Sequence, residues 1–181
     1  RYIGDWSSDV CSSDLKEEKN MEGALISGIA FTKDESEIII KGVKDQPGVA
    51  SKILGPIGDA NIEVDMIVQN VGSDGLADFT FTVSRNSLNK AVKVIEKHKK
   101  IMGYQNIESK RNIVKVSLVG VGMRSHAGIA SKMFKCLAKN KVNIRMISTS
   151  EIKISVVIDQ KNLEIAVQAL HNEFKLEKKN N

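Results

Sequence analysis

A short string recurs in this chain and sets what it can fold into. Gly48-Val49-Ala50-Ser51-Lys52 returns 80 residues later as Gly128-Ile129-Ala130-Ser131-Lys132. Without a gap, Ile62 then meets Val142, Val64 meets Ile144, and Met66-Ile67 meets Met146-Ile147. Leu88-x-x-Ala91-Val92 recurs as Leu163-x-x-Ala166-Val167 at an offset of 75, so the second copy has a hairpin five residues shorter. Agreement in residue type, spacing and pattern means a duplicated structural unit. Whatever one half forms, the other must form too.

In the first copy residues 37–42 are apolar and β-branched, with Ile38-Ile39-Ile40 at their centre. Gly48 follows Pro47 and opens a helix reaching about Asp59, with Val49, Ile53 and Ile57 on one face. Residues 62–71 alternate as a strand, Gly72-Ser73-Asp74-Gly75 makes a turn, and residues 78–83 alternate again through Phe79, Phe81 and Val83. Leu88, Val92, Val94 and Ile95 mark a second helix, and residues 106–109 supply a closing strand. The order β-α-β-β-α-β predicts a four-stranded antiparallel sheet with two helices on one face, a ferredoxin-like α+β unit.

The second copy runs through a strand at 113–118, a helix at 127–140, strands at 143–148 and 152–158, and a helix at 163–174. Only a charged tail follows, so this copy lacks its fourth strand. Residues 24–31, with Leu25, Ile26, Ile29 and Ala30, form a spare strand ahead of the first copy. A missing strand would leave an open sheet edge. The economical arrangement therefore inserts the first unit within the second. The division that follows is a leader at 1–15, a linker at 16–22 and a strand at 23–32 completing the second unit. The first unit then takes 33–110, the second 111–176, and the tail 177–181.

The leader differs from the rest: it holds the single Trp and a Ser-Ser-Asp repeat with no period, and it resembles translated vector sequence. Elsewhere 27 basic side chains face 22 acidic ones, and aromatic residues make up only 4%, which disfavours nucleic-acid binding. No apolar run approaches the roughly 18 residues that cross a bilayer. Cys11 and Cys136 build no disulfide framework, and His98, His126 and His171 have no ligand spacing, so no metal site is expected. The chain reads as soluble and cytoplasmic.

Both copies place a loop ahead of the first helix, at 43–48 and at 122–128. Glycine there permits close approach, and free helix-start N–H groups favour a carboxylate. These loops point to recognition of a small acid or amino acid, against the simpler reading of a capped turn. Gly120-Val121-Gly122 is no phosphate loop, because Ser125 stands at the third glycine and no Gly-Lys-Ser/Thr follows. No nucleophile–base pair or placed carboxylate pair occurs, so no catalytic residue is expected.

The strings VKDQPG (43–48), NIEVDMIVQN (61–70), DFTFTVSR (78–85), VGVGMRSH (119–126) and MISTSEIKIS (146–155) resemble the regulatory region of the aspartate kinase family, built from tandem ACT domains. The resemblance spans nearly all of 21–174 and implies the inserted arrangement argued above. It also implies a catalytic domain, N-terminal to this region, that uses ATP and Mg to phosphorylate L-aspartate on the path to lysine, threonine and methionine. The Lys-Phe-Gly-Gly loop of that domain is absent here, so the chain should be inactive alone and should need no cofactor. It would be either a fragment, favoured because 16–20 resembles the linker leaving the kinase domain, or a separately made regulatory subunit starting at Met21. A purely structural dimerisation module with vacant sites is the bland alternative. Implied partners are an amino-acid effector, lysine and/or threonine, and a second ACT-bearing chain, identical or catalytic.

The resemblance carries effector contacts onto matching positions. In the first copy these are Asp45, Ala50, Glu63, Val64, Asp65 and Gln69; in the second, Ile129, Ala130, Asn143, Ile144, Ser150 and Glu151. Helix-start amides would hold the effector carboxylate, Asp45 its ammonium, and strand carbonyls with Asn143 the rest of the polar shell. Two departures bear on the ligand. Lys132 stands where lysine-sensing relatives can carry an acid, and Gly72 where some have Ser next to the effector.

Overall fold

The computed structural model describes residues 25–121 and 127–176. The leader, the linker, loop residues 122–126 and the tail at 177–181 lie outside the described residues.

The order is β1 (Leu25–Lys44), α1 (Val49–Asp59), β2 (Val64–Val71), β3 (Leu76–Val83), α2 (Leu88–Lys97) and α3 (Lys99–Met102). Then come β4 (Asn106–Val121), α4 (Ala127–Lys139), β5 (Ile144–Thr149), β6 (Lys153–Asp159), a 3-10 turn (Gln160–Asn162) and α5 (Leu163–Glu173). The short α3 has no counterpart in the sequence reading. It sits where Lys97, Lys99 and Lys100 look like one solvated helix end.

The strands form one six-stranded antiparallel sheet ordered β2-β3-β1-β4-β6-β5. Two strands are long because each serves both copies. The first part of β1 pairs with β4 from Leu25↔Val121 to Thr32↔Lys115. Its second part pairs with β3, from Ser36↔Val83 to Lys44↔Leu76, and with the start of β4, up to Lys41↔Asn106. In turn β6 pairs with β5 and with the later part of β4, from Ile113↔Asp159 to Val119↔Lys153. Each copy thus owns four strands, and residues 25–32 fill the edge that the strand count leaves open in the second. The divisions at 32/33 and 110/111 fall inside continuous strands. The change of partner is marked by register shifts between Thr32, Glu35 and Glu37.

Apolar periodicity explains the packing. Ile38, Ile40, Phe79, Phe81 and Val83 turn one face of the first unit to Val49, Ile53 and Ile57 of α1 and to Leu88, Ala91 and Ile95 of α2. Val114, Val116, Leu118, Ile154, Val156 and Ile158 do the same for Met133 and Leu137 of α4 and Leu163, Ala166 and Leu170 of α5. Burying each such Val, Leu or Ile side chain contributes about 1.5–3 kcal/mol. A third, small cluster lies on the faces away from the helices. There Ile113, Met146 and Val157 are buried, with Met66 and Val68 of β2 packed against them. It joins the two units.

The strand that the sequence ends at Gly42 continues to Lys44 through a bulge between Ile40 and Val43. Gly42 has φ 68°, and a Cβ there would meet the Gln105 side chain at 2.5 Å. Its N–H donates to Asp78 Oδ1 at 2.8 Å. The positive φ favours glycine, and a Cβ would also have to displace the Gln105 side chain.

Among the described residues no helix is long and apolar enough to cross a membrane. None of the His, Cys, Asp and Glu side chains among them gather in threes as metal ligands. Cys136 is buried on α4, where burial pushes its thiol pKa up, as for an inert core residue.

Candidate functional site

The loop before α1 ends at Gly48, whose φ of 88° is left-handed, and no side chain caps the helix. The first-turn amides of a helix have no partner within the helix; here Val49 N–H donates to Gln46 O at 3.1 Å, and no capping side chain serves those of Ala50 and Ser51. Asp45 is exposed, and its N–H donates to Gly75 O at 3.0 Å, tying the loop to the β2–β3 hairpin. Ala50 is exposed in the first turn.

Beside the loop runs β2, one edge of the sheet. Its pairing puts Gln69 opposite Phe79, on the helix-bearing side. Val64 packs against the first core, and Glu63 is exposed just ahead of the strand. Asp45 and Ala50 therefore sit at the hairpin end of the first unit, where Lys44 opposes Leu76, with Gln69 on the nearer half of β2; Glu63 and Val64 lie at the opposite end of that strand, where Val64 opposes Val83. The Asp65 carboxylate points elsewhere. It lies opposite Thr82, on the face away from the helices, and pairs with Lys115 of the second unit. Gly72 closes the hairpin through its N–H to Leu76 O at 2.7 Å, and a Cβ there would meet Asp74 Oδ1 at 2.6 Å.

The second unit repeats the frame as far as it is described. Ile129 and Ala130, in the first turns of α4, are half-buried against the second core, as is Ile144. Asn143 is exposed ahead of β5, the other sheet edge. Ser150 closes the β5–β6 turn: its N–H donates to Lys153 O at 2.8 Å, and its Oγ accepts from Lys153 N–H at 3.2 Å. Glu151 is exposed beside it. The second-copy loop itself, 122–126, is outside the described residues. Lys132 lies 3.7 Å from Glu173 and over the Phe174 ring at 4.9 Å, so α5 already engages its charge.

Sequence reasoning missed the charges between the units. Glu37, 2% exposed, accepts from Arg145 Nε at 3.0 Å and from a terminal guanidinium nitrogen at 2.5 Å. Lys115 bridges Glu35, at 3.0 Å, and Asp65. Lys110 pairs with Asp159 at 2.6 Å. The available signal was charge inside apolar strands: Glu37 precedes Ile38-Ile39-Ile40, and Lys115 sits between Val114 and Val116.

The Lys115 hydrogen bond holds the Asp65 carboxyl below its usual range. A carboxylate depressed on folding stabilises above its unfolded pKa of about 3.9, and loses that contribution as pH falls through the lower folded value. Asp65 is more than half exposed, so the effect stays within about 1 kcal/mol. Urea unfolding should show Asp65→Asn less stable than the parent at pH 6, with the gap closing towards pH 2.

Profiles of the ACT domain match residues 36–100 and 116–174. An aspartate kinase of Stutzerimonas stutzeri is 60% identical over 163 residues, 90% of this chain and 40% of that protein. An aspartokinase of Helicobacter pylori is 45% identical over 168 residues, 93% of this chain and 41% of that protein. This chain thus spans about two fifths of the curated relatives it matches. Among solved structures, one of aspartokinase alpha and beta subunits matches with TM-score 0.79 and 48% identity, covering 83% of this chain and 99% of that one. The ligand-free regulatory subunit of aspartate kinase from Thermus thermophilus matches with TM-score 0.78 and 36% identity, covering 82% and 98%.

Proposed function

Because the chain belongs to the aspartate kinase family, as its regulatory region of two ACT domains, we propose that it senses an end-product amino acid and passes that signal to an aspartate kinase active site. The observation that carries this reading is the uncapped start of α1 at left-handed Gly48, beside an open sheet edge and an exposed carboxylate, Asp45. A zwitterion fits that frame: amides and helix dipole for its carboxylate, Asp45 for its ammonium. The second-copy set, from Ile129 to Glu151, takes the same part in the second unit.

The whole enzyme would transfer phosphate from ATP to the side-chain carboxylate of L-aspartate, with Mg held outside this region. Lysine and threonine are the candidate effectors. Calorimetric titration with lysine, threonine and methionine tests the reading: heat of binding from at least one supports it. No heat from any of them leaves the structural module with vacant sites. An ATP-dependent aspartyl phosphate assay on the chain alone should read zero.

We also assign the partner surface to the sheet edges. Ile67 and Val71 on β2 and Ile147 on β5 are exposed by about half, and an open apolar edge invites pairing with another sheet. Sedimentation should give a dimer at tens of micromolar, a level at which a stable interface is occupied. A monomer there would contradict the assignment.

A further inference from the structure

The bridging charges obey the repeat. The 80-residue offset that puts Val64 on Ile144 puts Asp65 on Arg145 and Met66 on Met146. The first-strand equivalence follows from the pairing. Val64 opposes Val83 and Ile144 opposes Ile158, so Val83 and Ile158 correspond, and two residues back so do Phe81 and Val156. Phe81 opposes Ile38 and Val156 opposes Val116. Glu37 is therefore the counterpart of Lys115.

Two pseudo-symmetric ion pairs result, with charges exchanged. Asp65 of the first unit reaches Lys115 of the second; Arg145 of the second reaches Glu37 of the first. Asp65 and Arg145 both sit at register breaks, between Asp65 and Val68 and between Ile144 and Met146. Each follows directly on the residues proposed to meet an effector, Glu63-Val64 and Asn143-Ile144. The next residues, Met66 and Met146, belong to one cluster with Ile113, Val157 and Val68. A cleft of about 500 Å³ beside it is lined by Glu37, Val68, Thr80, Asn143 and Arg145. The two strand entrances therefore share one small core, flanked by two ion pairs.

We infer that Asp65, Arg145, Glu37 and Lys115 are positioning residues that lock the two strand entrances together, so that ordering one entrance orders the other within the same chain. The inference deepens the effector reading and rests on it for its use in regulation, but the coupling itself belongs to the ligand-free protein. Packed elements of this kind shift between discrete arrangements rather than deform continuously, and linkage makes any effect reciprocal. A bound effector would act on the distant entrance through the backbone of its own strand, the adjacent charge and the methionine pair.

Amide hydrogen exchange on the whole chain without ligand tests this. The double variant Glu37→Gln/Arg145→Met removes one pair and leaves no buried charge behind. Exchange should rise about five-fold or more at 143–147 and also at 63–68, which carries no substitution. Arg145→Lys keeps a cation and should raise exchange at 63–68 less. Lys41→Ala, which removes an exposed pair with Glu108 inside the first unit, should leave 63–68 unchanged. Faster exchange at 143–147 with 63–68 unmoved would overturn the inference. Should the double variant not fold, Asp65→Asn replaces an exposed carboxylate and reads the reciprocal effect at 143–147, where no change would overturn it equally. Lysine and threonine titrated into the parent chain separate the two readings. Coupled exchange without binding removes the effector role and leaves the coupling standing. Binding with uncoupled exchange does the reverse.

Discussion

Phe81→Ala should cost about 3–5 kcal/mol of stability, the range for truncating a large buried aromatic side chain. Phe81 is fully buried, pairs across the sheet with Ile38, and packs in the first core with α1 and α2. That loss is a large share of the 5–15 kcal/mol that holds a typical domain together. The damage should reach beyond the first unit. β1 and β4 each run through both units, and a third cluster joins them, so opening one unit withdraws hydrogen-bonded strand from the other. Urea unfolding should remain a single transition, shifted to lower denaturant. Exchange at the second-unit strands should quicken with that at the first. Two separated transitions, with the second at its parental midpoint, would mean that the units are independent.

Asp45→Asn should weaken effector binding by about 1.5–3 kcal/mol, the range for hydrogen bonds to charged groups, or roughly 10- to 150-fold in affinity. The competing role for Asp45 is to cap α1, and losing a cap would cost about 1 kcal/mol of stability with no effect on binding. The geometry argues against that role: α1 is entered at Gly48 with no side-chain cap. The contact Asp45 makes to the hairpin is through its backbone N–H to Gly75 O, which Asn retains. The melting point should therefore hold while affinity falls. Unchanged affinity with a lowered melting point would return Asp45 to a structural role.

The repeat made most of the architecture legible, because Gly48–Lys52 and Gly128–Lys132 tie two copies of one pattern to two helix starts. Counting strands exposed the gap that residues 25–32 fill. Strand sharing stayed hidden: Lys33 and Asp34 look like the end of a strand, yet β1 runs on past them and only changes partners. The basic run at 97–100 concealed α3 for a similar reason, since charge marks a solvated surface whether or not the backbone stays helical. At the site, the helix-start loops could be read because glycine and proline punctuate them. The side on which each residue lies could not. Asp65 and Gln69 are four apart in a strand that would alternate evenly, and the register break after Asp65 sends their side chains to opposite faces. The bridging pairs depend on contacts between residues 50 and 108 positions apart, which no local pattern encodes.

An amino acid that binds at the helix and strand starts built by the repeat must perturb the backbone there. Backbone amide shifts of the chain, followed by NMR as lysine or threonine is added to saturation, report this residue by residue. The largest changes should fall at 45–50, 63–65 and 69 in the first unit, at 129–130, 143–144 and 150–151 in the second, or at both sets together. Saturable changes confined to other surfaces, or no saturable change with either amino acid, would contradict binding there.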